Sequence, residues 1–398
     1  MVPEGWREVK LGDLFASSKE KGKSGLPIMS VTLKDGLVPR DSLERKTDTN
    51  LSPKDHLRLR KGYIAYNMMR MWQGASGVSQ EDGLVSPAYV VLVPKREIDP
   101  TFASYFFKAA RTVYLFWAYS YGLTNDRLRL YYPDFAAIPV AIPPFDEQRK
   151  IGEILATWDK ALGASDKLIQ NSRRQQEALV HRLLSGSLRL PAYRSRDWTS
   201  LPLSSIAELS SERFDPQTSS ASKRCIELEH IESRTGARTG ECDSADQDSK
   251  KAVFRPGDVL FGKLRPYLRK YYQPNFEGVC STEIWVLKSK CSLQPGYLYY
   301  LVQTDTFSRA ANVSSGSKMP RADWSVVRDT RFKIPDADEQ RAIVSTLGAA
   351  DALVHQHQQQ RRLLLRQKNA LMQQLLTGKR RVKVDGDVDR IVSEAAHG

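Results

Sequence analysis

The chain repeats itself once, and this constrains its fold more than any other property of its 398 residues. Asp146-Glu147-Gln148-Arg149 returns as Asp338-Glu339-Gln340-Arg341, a shift of 192 residues. The same shift carries Ile151 to Ile343, Leu155 to Leu347, Asp159 to Asp351, Arg174 to Arg366 and Gln175 to Gln367. It continues through Ala178 to Ala370, Leu179 to Leu371, Leu183-Leu184 to Leu375-Leu376 and Gly186 to Gly378, and it maps Trp6 onto Trp198. Inside each half the shift drifts to 195, where Gly62-Tyr-Ile-Ala-Tyr66 answers Gly257-Asp-Val-Leu-Phe261. Arg70 then answers Arg265, and Gly83-Leu-Val-Ser86 answers Gly278-Val-Cys-Ser281. An ordered series of this kind implies a tandem duplication.

Each copy has two parts. The first is rich in Gly, Pro, aromatics and short β-like runs such as 89–93 and 283–287, bounded by turn residues, so a compact mixed α/β domain is expected. A helical stretch near 101–118 answers one near 296–311. The second part, 146–186 and 338–378, contains no proline. Pro143-Pro144 or Pro335 stands ahead of it, Asp146 or Asp338 is a plausible N-cap, and Gly186 or Gly378 sits where a helix should stop. The expected division is a globular domain at 1–145, a helix at 146–190, a second globular domain at 191–335, a second helix at 336–380 and a tail at 381–398.

The apolar spacing of these helices is that of a coiled-coil seam. In the first copy Ile151, Leu155, Trp158, Leu162, Ser165, Ile169, Ser172, Gln176, Leu179 and Leu183 step by four and three. In the second, Ile343, Leu347, Ala350, Val354, His357, Arg361, Leu364, Lys368, Leu371 and Leu375 step identically. Each seam is apolar at its ends and polar in its middle. At 1.5 Å per residue such a helix is a rod of roughly 60 Å. Two in one chain most simply pair antiparallel and hold the globular domains apart; packing of each helix on its own domain, or pairing between two chains, is the alternative. The expected fold is thus α/β (α+β), with two globular domains separated by a pair of long antiparallel coiled-coil helices in a pseudo-twofold arrangement.

Charge points to a polyanion. The chain carries 60 Lys and Arg against 46 Asp and Glu, a formal +14. Residues 1–190 hold 28 basic and 21 acidic groups and the remainder 32 and 25, so each half is +7 and no single basic tail explains the excess. Two equally basic halves fit an extended polyanion contacted twice, or else a generally basic, soluble surface. With 41% hydrophobic and 27% charged residues the chain is neither disordered nor membrane-spanning, and its longest apolar run, 85–93, is too short to cross a bilayer. The amino terminus has no basic segment leading into an apolar one, so no signal peptide is expected. Cys225, Cys242, Cys280 and Cys291 lack C-x-x-C spacing, and reduced thiols in the cytoplasm are the expectation.

No catalytic constellation stands out. Gly257 to Lys263 matches G-x-x-x-x-G-K, but Leu264 replaces the hydroxyl that would hold magnesium. Ile142-Pro-Pro-Phe145 resembles an amino-methyltransferase tetrapeptide, yet Ile142 cannot bond an exocyclic amine. The six histidines form no ligand cluster, and no metal site is expected. What remains are basic, aromatic-laced segments in corresponding places. Lys263, Arg265, Arg269 and Lys270 precede Tyr271 and Tyr272, and the counterpart segment holds Asn67, Arg70, Trp72 and Gln73. Further on, Asn125, Arg127 and Arg129 follow Tyr121, and Lys318 and Arg321 follow a run of Ser and Gly. Arg and Lys serve guanine edges or phosphates and Asn and Gln read adenine, although any one of these residues alone could be a solvated charge. As sets they favour DNA.

Two variable globular domains, each followed by a long helix that opens on Pro…Asp-Glu-Gln-Arg and ends on Leu-Leu-x-Gly, with Trp near each domain start, resemble the specificity subunit of a type I restriction–modification system. The likeness covers essentially the whole chain. It implies two target recognition domains that each read one half of a split, asymmetric DNA sequence. It also implies a helical pair that fixes the gap and docks partners, with the seam residues Ile151, Leu155, Trp158, Leu162, Leu179, Leu183, Ile343, Leu347, Val354, Leu364, Leu371 and Leu375 serving the coiled coil and that docking. The implied partners are double-stranded DNA, two modification subunits that use S-adenosylmethionine to methylate adenine N6, and restriction subunits that use ATP and magnesium. No cofactor, membrane contact or catalysis is expected of this chain itself. A specificity module for a related type IIB-like or phage-defence methyltransferase, or a coiled-coil scaffold that binds no DNA, is the alternative. Two readers held by a stiff rod predict half-sites about one helical turn apart, on the order of 34–36 Å.

Overall fold

The computed structural model describes residues 2–43, 51–124, 126–219, 221–290, 292–313 and 319–383. They form two packed units, Met1–Asp166 with Gln359–Gly398, and Lys167–Gln358. Each unit contains one globular domain and portions of both long helices, Phe145–Leu184 and Ala337–Leu375.

The duplication is visible in strand register. The first unit is built on an antiparallel sheet ordered Phe15–Ser18, Tyr89–Pro94, Ile64–Asn67, Ser76–Val78. The second repeats it as Ala207–Leu209, Ile284–Ser289, Val259–Gly262, Tyr271–Tyr272. Ile64 lies opposite Leu92 and Val259 opposite Leu287, the same pair displaced by the drifted shift. A ribbon closes each domain by joining its first strand to its last, with Arg7 opposite Ile142 and Thr199 opposite Ile334. These strands are rich in Val, Ile, Leu and aromatic residues that fit a pleated, buried surface. Gly62 and Gly257 take φ of +83° and +91° in the turns that feed the two matching strands, a region glycine enters without steric cost. The copies diverge in their second layer. Among the described residues the first domain has two separate two-stranded ribbons there, and the second has one five-stranded sheet.

The helical stretches expected near 101–118 and 296–311 are each two helices. Pro100–Phe106 is followed by Ala110–Ala118, and Pro295–Leu301 by Asp305–Ala311. In the second copy the Thr304 hydroxyl accepts from the Phe307 N–H (3.3 Å), which starts a new helix in place of a continuation. The N-caps also differ from expectation. Asp146 and Asp338 lie inside the first turn. Asp336 caps the second long helix by accepting from the N–H groups of Asp338 and Glu339 (both 3.0 Å), and the Pro144 carbonyl accepts the Gln148 N–H (3.0 Å) to open the first. Both helices end as expected, with Gly186 at φ +74° and Gly378 at φ +68°.

Every position of both seams is buried or half-buried. The two helices run antiparallel within each unit. In the first, Lys368 Nζ donates to Asp159 (2.5 Å), and Arg361 pairs with Asp166. In the second, Ser172 meets His357 (3.0 Å), and Gln176 donates to Asp351 (2.9 Å). Burial raises the Asp351 carboxyl above its ordinary range, and the Tyr300 hydroxyl bonds its other oxygen (2.6 Å). The seam ends also enter the domain cores. Ile151, Leu155 and Leu375 join the first core and Leu183, Ile343 and Leu347 the second. Helix pairing and packing on the domains thus occur together.

The Asp-Glu-Gln-Arg tetrapeptide is a latch. Gln148 is buried and satisfied: its amide donates to the carbonyls of Glu97 (3.1 Å) and Pro143 (2.9 Å) while its oxygen accepts from Asp99 N–H (3.0 Å). Gln340 makes the same three bonds with Ser292, Pro335 and Gln294. Glu339, 1% exposed, is held by both arms of Arg189 (2.8 and 2.9 Å) and by the Trp198 indole N–H (2.8 Å). Glu147 is held by both arms of Arg381 (each 2.7 Å). Each arginine stands three residues beyond the glycine that ends the other helix. Each tryptophan covers that glycine. A Cβ on Gly186 would sit 3.4 Å from the Trp198 ring, and one on Gly378 would meet Pro3 at 2.5 Å and Trp6 at 3.2 Å.

Candidate nucleic-acid interface

The basic segments singled out in the sequence come together in pairs. In the first domain the strand Ile64–Asn67 runs into a 3₁₀ turn at Met71–Gln73, closed by Gly74 at φ +86°. The Leu130 N–H donates to the Met68 carbonyl (3.0 Å), tying this turn to the loop 121–131. Within it Tyr121 and Arg129 exchange backbone bonds (3.0 and 2.8 Å), and Leu128 and Leu130 are buried. In the second domain the strand Val259–Gly262 leads to a 3₁₀ turn at Pro266–Leu268. Arg265 N–H donates to the Pro320 carbonyl, and Ala322 N–H to the Lys263 carbonyl (both 2.8 Å). One architecture has been used twice.

The side chains divide by what they touch. Arg70, Gln73 and Arg127 are exposed and make no side-chain bond among the described residues, and Arg129 approaches only the Tyr131 hydroxyl (3.5 Å). Around them Met69, Tyr121, Leu123 and Tyr131 are exposed. Asn67 spends its side-chain oxygen on the Met69 N–H (3.0 Å), which shapes the turn. Lys263 is half-buried and Arg265 exposed, both without a side-chain partner among the described residues. Asn125 and Lys318 lie outside the described residues, as does the tail beyond residue 383.

Three of the expected contact residues have partners inside the protein. Arg269 donates to Asp305 (2.5 Å) and Ser308 (2.9 Å), and holds the Asp305 carboxyl below its ordinary range. Lys270 donates to the Leu228 carbonyl (2.6 Å). Arg321 forms a fork with Glu283 (3.0 and 3.2 Å), whose hydrogen bonds, and then its charge, raise the arginine pKa. Of the seam residues, Ile151, Leu155, Leu371 and Leu375 pack in the first domain core and Leu179, Leu183, Ile343 and Leu347 in the second, while Trp158, Leu162, Val354 and Leu364 are buried or half-buried along the helices.

The phosphate-loop resemblance at Gly257 to Lys263 dissolves into the strand Val259–Gly262, paired on both edges. Among the described residues no His, Cys, Asp and Glu group could hold a metal ion, and no helix is long and apolar enough to cross a membrane.

The fold so described is a tandem α+β architecture with paired long helices, and known proteins share it. A family model, the type I restriction modification DNA specificity domain, matches residues 3–171 and again 196–365. The chain is 21% identical over 409 residues to the MjaVIII specificity subunit of Methanocaldococcus jannaschii, covering 96% of this chain and 94% of that protein. It is 27% identical over 243 residues to the EcoDI specificity subunit of Escherichia coli, about half of each chain (53% and 54%). Its fold matches a chain solved in a study of assembly and conformational transition of the type I R-M system (TM-score 0.59, 16% identity, 94% and 98% covered). It also matches the type I S subunit from M. genitalium (TM-score 0.53, 16% identity, 94% and 99% covered). The chain therefore belongs to the type I restriction–modification DNA specificity family, and its role is that of the non-catalytic specificity subunit.

Proposed function

We propose that each globular domain reads one half of a split DNA target, and that the helical pair fixes the gap between the halves. The observation that carries this reading is the repeated loop pair. In both copies a turn after the central strand is tied by backbone bonds to a second basic loop, and both present cations without a side-chain partner among the described residues, Arg70 and Arg127 in one and Lys263 and Arg265 in the other. Because the loops differ in sequence, the target is asymmetric. The cross-helix bonds from Asp159 to Lys368 and Ser172 to His357 oppose sliding of one helix along the other, which suits a spacer. Moving one reader by a base pair also turns it about the duplex, so a stiff spacer keeps phase where a flexible linker would lose it.

In this reading the chain docks two modification subunits, which bring S-adenosylmethionine and methylate adenine N6, and restriction subunits, which bring ATP and magnesium. Recognition that rests on Lys and Arg must release counterions. The assembled methyltransferase is expected to lose about 10³–10⁵ in affinity for its target duplex between 50 and 200 mM salt if six to ten phosphates are contacted. A fluorescence-anisotropy titration at several salt concentrations measures this. Affinity that stays flat with salt would favour a scaffold that does not read DNA.

A further inference from the structure

Among the described residues, three residues other than glycine take a positive φ: Arg234 (+65°), Arg265 (+51°) and Arg269 (+48°). All are arginines on adjoining loops of the second domain. Arg234 N–H donates to the Arg269 carbonyl (3.0 Å), and the Tyr271 hydroxyl donates to the Arg234 carbonyl (2.8 Å). A side chain in this backbone region crowds the following carbonyl, so its persistence calls for a return elsewhere.

The first domain serves as an internal control. Its equivalent 3₁₀ turn is preceded by Arg70 at φ −135° and closed by Gly74 at φ +86°. The closing position is therefore left-handed in both copies. Arg269 fills it in the second copy and gains its bonds to Asp305 and Ser308 in return. The position before the turn is not left-handed in the first copy, so the turn itself does not require it of Arg265. Arg265 and Arg234 are exposed, and neither side chain has a partner among the described residues. Their backbones are nonetheless pinned, Arg265 by the Pro320 carbonyl and Arg234 by Arg269 and Tyr271. The hairpin that carries Arg234 is also seated closely, since a Cβ on Gly236 would fall 2.0 Å from the Tyr299 hydroxyl.

We propose that Arg265 and Arg234 are the base-reading arginines of the second domain and that the base they read is guanine. This rests on the reading of that domain as a half-site reader. A pinned backbone aims a rigid, unpaired guanidinium fork, and the group that matches it on a base edge is the O6/N7 pair of guanine in the major groove. Lysine carries the same charge and can approach a guanine edge, but it lacks the planar fork that spans O6 and N7, so it should discriminate less than arginine.

The test uses the complete complex with its modification subunits. First, the methylated motif is mapped for the wild-type chain. Next, binding is measured to target duplexes in which each guanine of the second half-site is replaced in turn by 7-deazaguanine, which lacks N7. The wild type is expected to lose about ten-fold or more at one guanine or two. Arg265→Gly and Arg234→Gly should each bind more weakly, ignore the substitution at one position and leave the first half-site unchanged. Their melting temperature should stay level or rise, because glycine is at ease at these φ values. Arg265→Lys should discriminate less than the wild type and more than the glycine variant. Lysine variants that keep full discrimination, a second half-site without guanine, or a wild type indifferent to 7-deazaguanine would overturn the proposal while the domain remained a reader. A wild type that marks no split motif would instead overturn the domain reading itself.

Discussion

Glu339→Ala is expected to destabilise the second unit by about 3–5 kcal/mol, because removing one partner of a buried ion pair strands the other. Glu339 takes both arms of Arg189 and the Trp198 indole N–H, so alanine takes the acceptor from two half-buried donors, Arg189 Nε and Trp198 Nε1, while Arg189 keeps its bonds to the Tyr193 and Arg196 carbonyls. For a unit of this size that is a fall on the order of 10 °C in melting temperature. Glu147→Ala removes the same bond from the first unit, but the Arg381 side chain is 43% exposed against 21% for Arg189, and Trp6 gives Glu147 no indole bond. Arg381 can turn to water, so the expected loss is smaller, about 1–3 kcal/mol. Calorimetry of the two variants reads the difference. Equal and negligible shifts would mean that the tetrapeptide is not a latch.

The second large effect concerns spacing. Excising one heptad from each helix, residues 165–171 and 356–362, keeps the four–three seam and the antiparallel register, since the excised segments face one another in the series set by the Asp159–Lys368 and Gln176–Asp351 bonds. Seven residues shorten a helix by about 10 Å, close to three base pairs. The methylated motif of the excised variant should keep both half-site sequences and change its gap, and because three base pairs also turn the duplex by about 0.3 of a revolution, the new gap is set by rise and phase together. A motif with an unaltered gap would remove the spacer role from the helices and leave it to the partner subunits.

Much of this was legible in the sequence because duplication supplies its own comparison. The shift of 192 residues set the helix pair, its glycine ends and the Trp6–Trp198 match, and periodicity marked every seam position that the structure buries. The latch was half visible. The same shift carries Arg189 to Arg381, but nothing local says that each arginine closes on a glutamate at the start of the other helix. The interface was less legible, because whether a cation is free depends on distant partners. Arg269, Lys270 and Arg321 look like Arg265 in sequence and differ only because Asp305, the Leu228 carbonyl and Glu283 reach them. Arg234 carried no signal at all, since a left-handed arginine is not a residue that turn statistics anticipate.

The measurement that tests the central claim most directly is methylome sequencing of cells that carry this chain with its neighbouring methyltransferase, beside cells from which only this chain is deleted. The account predicts that one split N6-methyladenine motif, asymmetric and with a fixed gap, disappears on deletion while other methylation persists. An unchanged methyl pattern in an otherwise active system would contradict it.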